Sequence, residues 1–134
     1  MPVPGPPQDG RNPESWLVLI VDDDTRNAKL ARDLLLAAGF LTLVARSGAE
    51  AVALAHDRLP DVVLMDLRLP DMDGSEAAGI LAGEARTAAI PVVALSAVAL
   101  EGDAAWHTRA GFAGYLEKPI DVERFPHQVR RFCV

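Results

Sequence analysis

Unbroken apolar runs, each halted by a polar or charged residue, constrain this chain more than any other feature. Residues 16–21 read WLVLIV and stop at Asp22-Asp23-Asp24. Residues 61–66 hold Val62, Val63, Leu64 and Met65 and end on Asp66, and residues 90–95 stop at Ser96. A shorter run, 114–117, stops at Lys118-Pro119. Runs without apolar–polar alternation belong to strands covered on both faces, the situation of a parallel sheet.

Between these runs the period changes to that of helices. Residues 25–38 carry Leu30, Leu34, Ala37 and Ala38 at helical spacing, with Asp24 and Thr25 competing as cap and Gly39 as the stop. Residues 40–45 form another strand. Ser47 and Glu50 then match a capping box, opening a helix that ends before Pro60. After a loop with Pro70, Asp73 and Gly74, residues 75–85 make an alanine-rich helix, and residues 101–110 make another that ends at Gly111. Asp121 is placed to cap a last helix with Val122, Phe125, Val129 and Phe132 on one face. Pro126 has no N–H, which predicts a tight turn over 121–125 and a regular helix from about residue 126. Five strand–helix alternations predict a doubly wound α/β sheet with five helices.

The chain has 134 residues, the size of one domain with a core of its own. Residues 1–14 hold five of the ten prolines and predict a flexible tail, leaving 15–134 as the folded domain. A formal net charge of −6 argues against nucleic-acid binding, because phosphate backbones attract clustered Lys and Arg. The single cysteine, Cys133, cannot form an internal disulfide, so a reducing cytoplasm is expected. No signal peptide is visible, and no apolar run nears the ~20 residues of a membrane helix. His56, His107 and His127 show no metal-ligand spacing.

A parallel sheet gathers its strand ends at one edge, where open α/β sheets bind ligands. Asp22, Asp23, Asp66, Ser96 and Lys118 would therefore meet. One like-charge pair at ~4 Å costs about 4 kcal/mol at an effective dielectric of 20, so three such acids need a cation or a proton. Oxygen donors alone favour a hard ion such as Mg²⁺, which keeps waters and bridges to phosphate. Lys118 and the Ser96 hydroxyl can each meet a phosphoryl oxygen, and a carboxylate left free can act as nucleophile. Taken singly, Asp22 or Asp23 reads equally well as a helix-capping acid.

The segments Val21-Asp22-Asp23-Asp24, Leu64-Met65-Asp66 through Asp73-Gly74, Ala94-Leu95-Ser96-Ala97 and Tyr115-Leu116-Glu117-Lys118-Pro119 resemble the response-regulator receiver domain, over residues 15–132. That resemblance implies a flavodoxin-like, five-stranded parallel sheet in the order 2-1-3-4-5. It implies that Asp66 accepts a phosphoryl group from a histidine kinase or histidine phosphotransferase. Asp23 would ligate Mg²⁺ directly and Asp22 through water, with Asp66 and the backbone carbonyl of Arg68 completing the protein ligands. Ser96 would bond the phosphoryl oxygen and move with it, Lys118 would pair with phosphate, and Tyr115 would be the aromatic that turns inward. A half-buried structural role fits Tyr115 almost as well. Output would pass to a protein partner through the face built from the fourth helix, fifth strand and fifth helix. Such a domain catalyses only its own phosphorylation and dephosphorylation, and a monomer or weak dimer is expected.

Segment 90–97 and the Gly102-Asp103 helix start resemble stand-alone DivK-like cell-division receivers and the receivers of hybrid kinases. Ser96 stands where the family more often has Thr, and the hydroxyl survives. Arg68 and Val98, each two residues past a site residue, flank the path of the attacking water and are expected to slow hydrolysis of the phosphoprotein. A labelled protein that lost its phosphate within seconds would contradict this. Two other classes stay open. A haloacid-dehalogenase-like phosphatase would want an acid where Arg68 stands, and turnover of a phosphate ester would revive it. A phosphorylation-independent pseudo-receiver would fail to label with acetyl phosphate and Mg²⁺.

Overall fold

The computed structural model describes residues 16–96, 111–118 and 120–133. Its strands are β1 (Leu17–Val21), β2 (Leu41–Ala45), β3 (Val62–Asp66), β4 (Val92–Ser96) and β5 (Gly114–Glu117). The helices among the described residues are α1 (Thr25–Ala37), α2 (Gly48–Arg58), α3 (Gly74–Ala82) and α4 (Phe125–Phe132). The helix expected over 101–110 and the tail over 1–14 lie outside the described residues.

All five strands join one sheet in the order β2-β1-β3-β4-β5, with every neighbouring pair parallel. The fold is the expected flavodoxin-like one. Alternate residues of the apolar runs face opposite layers. Val18, Ile20, Val62, Leu64, Val93 and Leu95 pack with Ala28, Ala31 and Leu35 of α1 and Phe125 and Val129 of α4. Leu19, Val21, Val63, Met65, Val92 and Ala94 pack with Ala51 and Ala55 of α2 and Ala77, Ala78 and Leu81 of α3. Nearly all these strand side chains are fully buried, each worth roughly 1.5–3 kcal/mol against exposure.

The helices correct several sequence-level expectations. The buried stripe of α1 is Ala28, Ala31 and Leu35, while Leu30 is 41% exposed and Leu34 only half-buried. Both stripes have helical period; the small alanines let α1 approach the sheet. Asp24 takes the α1 cap, accepting the N–H groups of Arg26 and Asn27 at 2.9 and 3.2 Å, and Gly39 makes the stop at φ 99°. Ser47 accepts the Glu50 N–H at 3.1 Å as a capping box requires, but Glu50 reaches one residue further back, to the Arg46 N–H at 2.8 Å. The third helix ends at Ala82 instead of 85, and residues 83–89 run as successive turns. As expected, a turn precedes the last helix: Asp121 accepts from Glu123 and Arg124, and α4 starts at Phe125; Val122, expected on the buried face, is left 55% exposed. Pro126 falls in the first turn of α4, where its missing N–H costs nothing.

Candidate functional site

The strand order reverses direction at β1, since β2 lies on one side of it and β3 on the other. A cleft at such a switch point opens between the carboxyl ends of β1 and β3. Asp22 and Asp23 follow β1 directly, and Asp66 is the last residue of β3. Register then places Asp66 beside Leu95, and Ser96 beside Glu117 of β5, so the chain leaving β5 brings Lys118 over the cleft.

The acids converge. Asp22, Asp23 and Asp66 each offer one carboxylate oxygen, and the three atoms lie within 4.8 Å of one another. Asp22 is 2% exposed, Asp66 is half-buried and Asp23 is exposed. Lys118 Nζ lies 3.3 Å from Asp22 Oδ2 and 3.4 Å from Asp66 Oδ1, bridging two of the acids. Asp22 Oδ1 accepts the Asp24 N–H at 2.9 Å, so both its oxygens are engaged.

Burial holds the Asp22 carboxyl above its ordinary range, and the Asp66 charge adds to the rise; the Asp24 N–H and Lys118 oppose it. Among the described residues one ammonium faces three carboxylates, which leaves the cluster short of positive charge. The donor set, oxygen-only and partly buried, fits a hard divalent cation. Those residues are the ones that could hold it.

The remaining expected residues sit around this centre. Arg68 is exposed; its N–H donates to Asp66 Oδ1 at 3.3 Å, and it bridges to Asp73 across the loop. Tyr115 lies in β5 beside Ala94 and packs, half-buried, on the layer under α2 and α3. Ser96 ends β4 at the correct edge by its backbone position; its side chain lies outside the described residues.

Two residues at the site had no assigned role in the sequence. Gly74 opens α3 so close to Asp66 that a Cβ there would collide with the Asp66 backbone carbonyl. Gly in the loop was legible, but the contact that demands it was not. Asp71 accepts the N–H groups of Gly48 and Ala49 at 2.8 and 2.9 Å. No local pattern marks it, because its partners lie 23 and 22 residues away.

Comparison with known proteins agrees with this geometry. The model of the response regulator receiver domain matches residues 18–130. The chain belongs to the response-regulator receiver family. It is 40% identical over 115 residues to the polar-differentiation response regulator DivK of Brucella ovis, a match covering 86% of this chain and 94% of that one. Among solved structures it is similar to the chemotaxis response regulator CheY4 of Vibrio cholerae, with TM-score 0.82 at 25% identity, covering 88% of this chain and 98% of that one. It is also similar to the receiver domain of a Pseudomonas aeruginosa sensor histidine kinase, with TM-score 0.80 at 29% identity and the same 98% coverage of that chain against 89% of this one. That receiver carries a magnesium ion coordinated in its active-site cleft. The receiver is thus a two-component signalling domain, and no helix among its described residues is long and apolar enough to cross a membrane.

Proposed function

We propose that Asp66 is the phosphoacceptor of a two-component system or phosphorelay, taking its phosphoryl group from the phosphohistidine of a histidine kinase or histidine phosphotransferase. One observation carries this: three carboxylates each offer an oxygen within 4.8 Å of the others, and among the described residues one ammonium, Lys118, touches two of them. Such a cluster is poised for a cation and for an incoming dianionic group.

In the transfer, an Asp66 carboxylate oxygen forms the bond to phosphorus as the donor's phosphorus–nitrogen bond breaks, and the imidazole leaves neutral, keeping the proton that its other ring nitrogen carried. Bound Mg²⁺ would supply charge neutralisation across the phosphoryl oxygens. Asp23, Asp66 and the Arg68 carbonyl would hold it directly. Asp22, its Oδ1 taken by the Asp24 N–H, would act through water. Lys118 would turn from the carboxylates to a phosphoryl oxygen, and the Ser96 hydroxyl would donate to another. Movement of Ser96 and Tyr115 would then shift the population of states in the face formed by segment 101–110, β5 and α4, which a downstream protein reads. The receiver catalyses only its own phosphorylation and dephosphorylation, in the cytoplasm.

Incubation with acetyl phosphate and Mg²⁺, followed by intact-mass measurement, tests the assignment. The wild-type chain is expected to gain one phosphoryl group and Asp66→Asn none. A mass gain that persists in Asp66→Asn overturns it.

A further inference from the structure

The loop from Asp66 to Gly74 is tied down at both ends by different means. Its inner end is held by its own backbone: the Gly74 N–H donates to the Leu67 carbonyl at 2.9 Å, and Arg68 bridges to Asp73. Its outer end is held by another element. Asp71 sends one oxygen to the Gly48 N–H at 2.8 Å and the other to the Ala49 N–H at 2.9 Å, at the start of α2. Beside them Met72 lies so close over Gly48 that a Cβ there would collide with its sulfur.

The chemistry of this contact is strong for an exposed position. The first N–H groups of a helix lack intrahelical partners, and a carboxylate is favoured there by the helix dipole. Ser47 takes the Glu50 N–H, so Asp71 completes the set from outside the helix. Both bonds are charge-assisted. They hold the Asp71 carboxyl below its ordinary range, the Gly48 N–H more than the Ala49 N–H.

We propose that Asp71 is a positioning residue: by pinning the phosphoacceptor loop to the start of α2, it fixes the Arg68 carbonyl and so sets the cation affinity of the Asp22–Asp23–Asp66 site. This rests on the phosphoacceptor function proposed above, in which that carbonyl is a ligand. Arg68 is, on its own side of the loop, the inner anchor's residue nearest the outer one, bridging to Asp73 on the far side, and the loop is exposed at Arg68, Pro70, Asp71 and Asp73. With the outer anchor cut, only the inner one restrains the carbonyl. A ligand must stay within about 0.5 Å of its place to coordinate well.

The test is a Mg²⁺ titration of the full chain followed by amide NMR, on wild type, Asp71→Ala and Asp71→Asn, with thermal unfolding in magnesium-free buffer alongside. Asp71→Ala is expected to bind Mg²⁺ about tenfold more weakly, the lower end of the effect of cutting a supporting partner of a metal ligand. The Gly48 and Ala49 amides should exchange faster with solvent. Asp71→Asn keeps one acceptor oxygen and should fall between, rescuing affinity in part. Loss of unfolding temperature alone would not move the Mg²⁺ affinity of the folded fraction. Affinity within about twofold of wild type, with the two amides freed, overturns the proposal and leaves the phosphoacceptor site standing. Should Asp71→Ala fail to fold, unchanged affinity in Asp71→Asn overturns it. Wild type that binds no Mg²⁺ overturns both.

Discussion

The two edges of the sheet resolve their polar groups in opposite ways. At the amino edge, Asp61 and Leu17 are paired twice: the Asp61 carboxylate accepts the Leu17 N–H at 2.8 Å, and the Asp61 N–H donates to the Leu17 carbonyl at 2.8 Å. Above them Trp16 packs on Phe40 with ring centroids 6.4 Å apart, and the Arg130 guanidinium covers the Phe40 ring at 5.4 Å. The Asp61 carboxylate there accepts a backbone N–H, and the Arg130 guanidinium spreads its charge over an aromatic face while its Nε stays buried. At the carboxyl edge, a buried Asp22 faces Asp66 and Asp23 with one ammonium between them. The first edge holds the fold together; the second keeps an electrostatic conflict that a ligand can relieve. The strands supply the same apolar cover to both, so the difference lies in a few residues at the strand ends.

That contrast can be broken most sharply at Phe40, which is fully buried at the amino edge. Phe40→Ala is expected to lose about 3–5 kcal/mol in urea unfolding, while the folded fraction still labels with acetyl phosphate at the wild-type rate. A loss of labelling in excess of the loss of folded protein would show that the edges are not separable.

Asp22→Asn is expected to do the reverse. It keeps an acceptor for the Asp24 N–H and removes the like charge beside Asp66, so stability in magnesium-free buffer should rise by about 1 kcal/mol. Labelling should fall about 10–100-fold if Asp22 supports the cation as the proposed function has it. The pH dependence carries the same signature. The folded Asp22 carboxyl titrates above its unfolded value of about 4, so the folded chain binds this proton more tightly. Its contribution to wild-type stability therefore falls as pH rises from about 4 through the raised folded value, then stays flat. Unfolding curves for wild type and Asp22→Asn should converge at the acid end; parallel curves would remove burial as the cause.

Cys133 offers the smallest and most local check on the amino edge. Its thiol is pushed up to about 12, by burial first and by the Asp61 charge second, with Arg130 opposing. Alkylation near pH 8.5 should run roughly tenfold or more slower in the folded chain than in urea. Equal rates would mean that this edge is open to water.

Local pattern carried much of this far. The buried strands were visible because Val62 to Met65 or Leu17 to Val21 are apolar without alternation, and that alone means cover on both faces. The polar residue ending each run pointed to a common edge before any strand order was known. Capping was legible wherever donor and acceptor are near in sequence, as for Ser47 with Glu50. The buried face was harder to read where two stripes competed: Leu30 lost the core to Ala28 and Ala31, and Val122 was left exposed.

By itself the sequence determined the element types, the parallel character of the sheet and the kinds of side chain at its carboxyl edge, because these follow from residues within a few positions of one another. Tertiary structure alone decided that Lys118 Nζ bridges Asp22 and Asp66 at 3.3 and 3.4 Å, that Gly74 touches the Asp66 carbonyl, and that Asp71 anchors its loop to α2. Those contacts depend on strand register and on how closely helices sit on the sheet, and both are settled by packing the whole core at once.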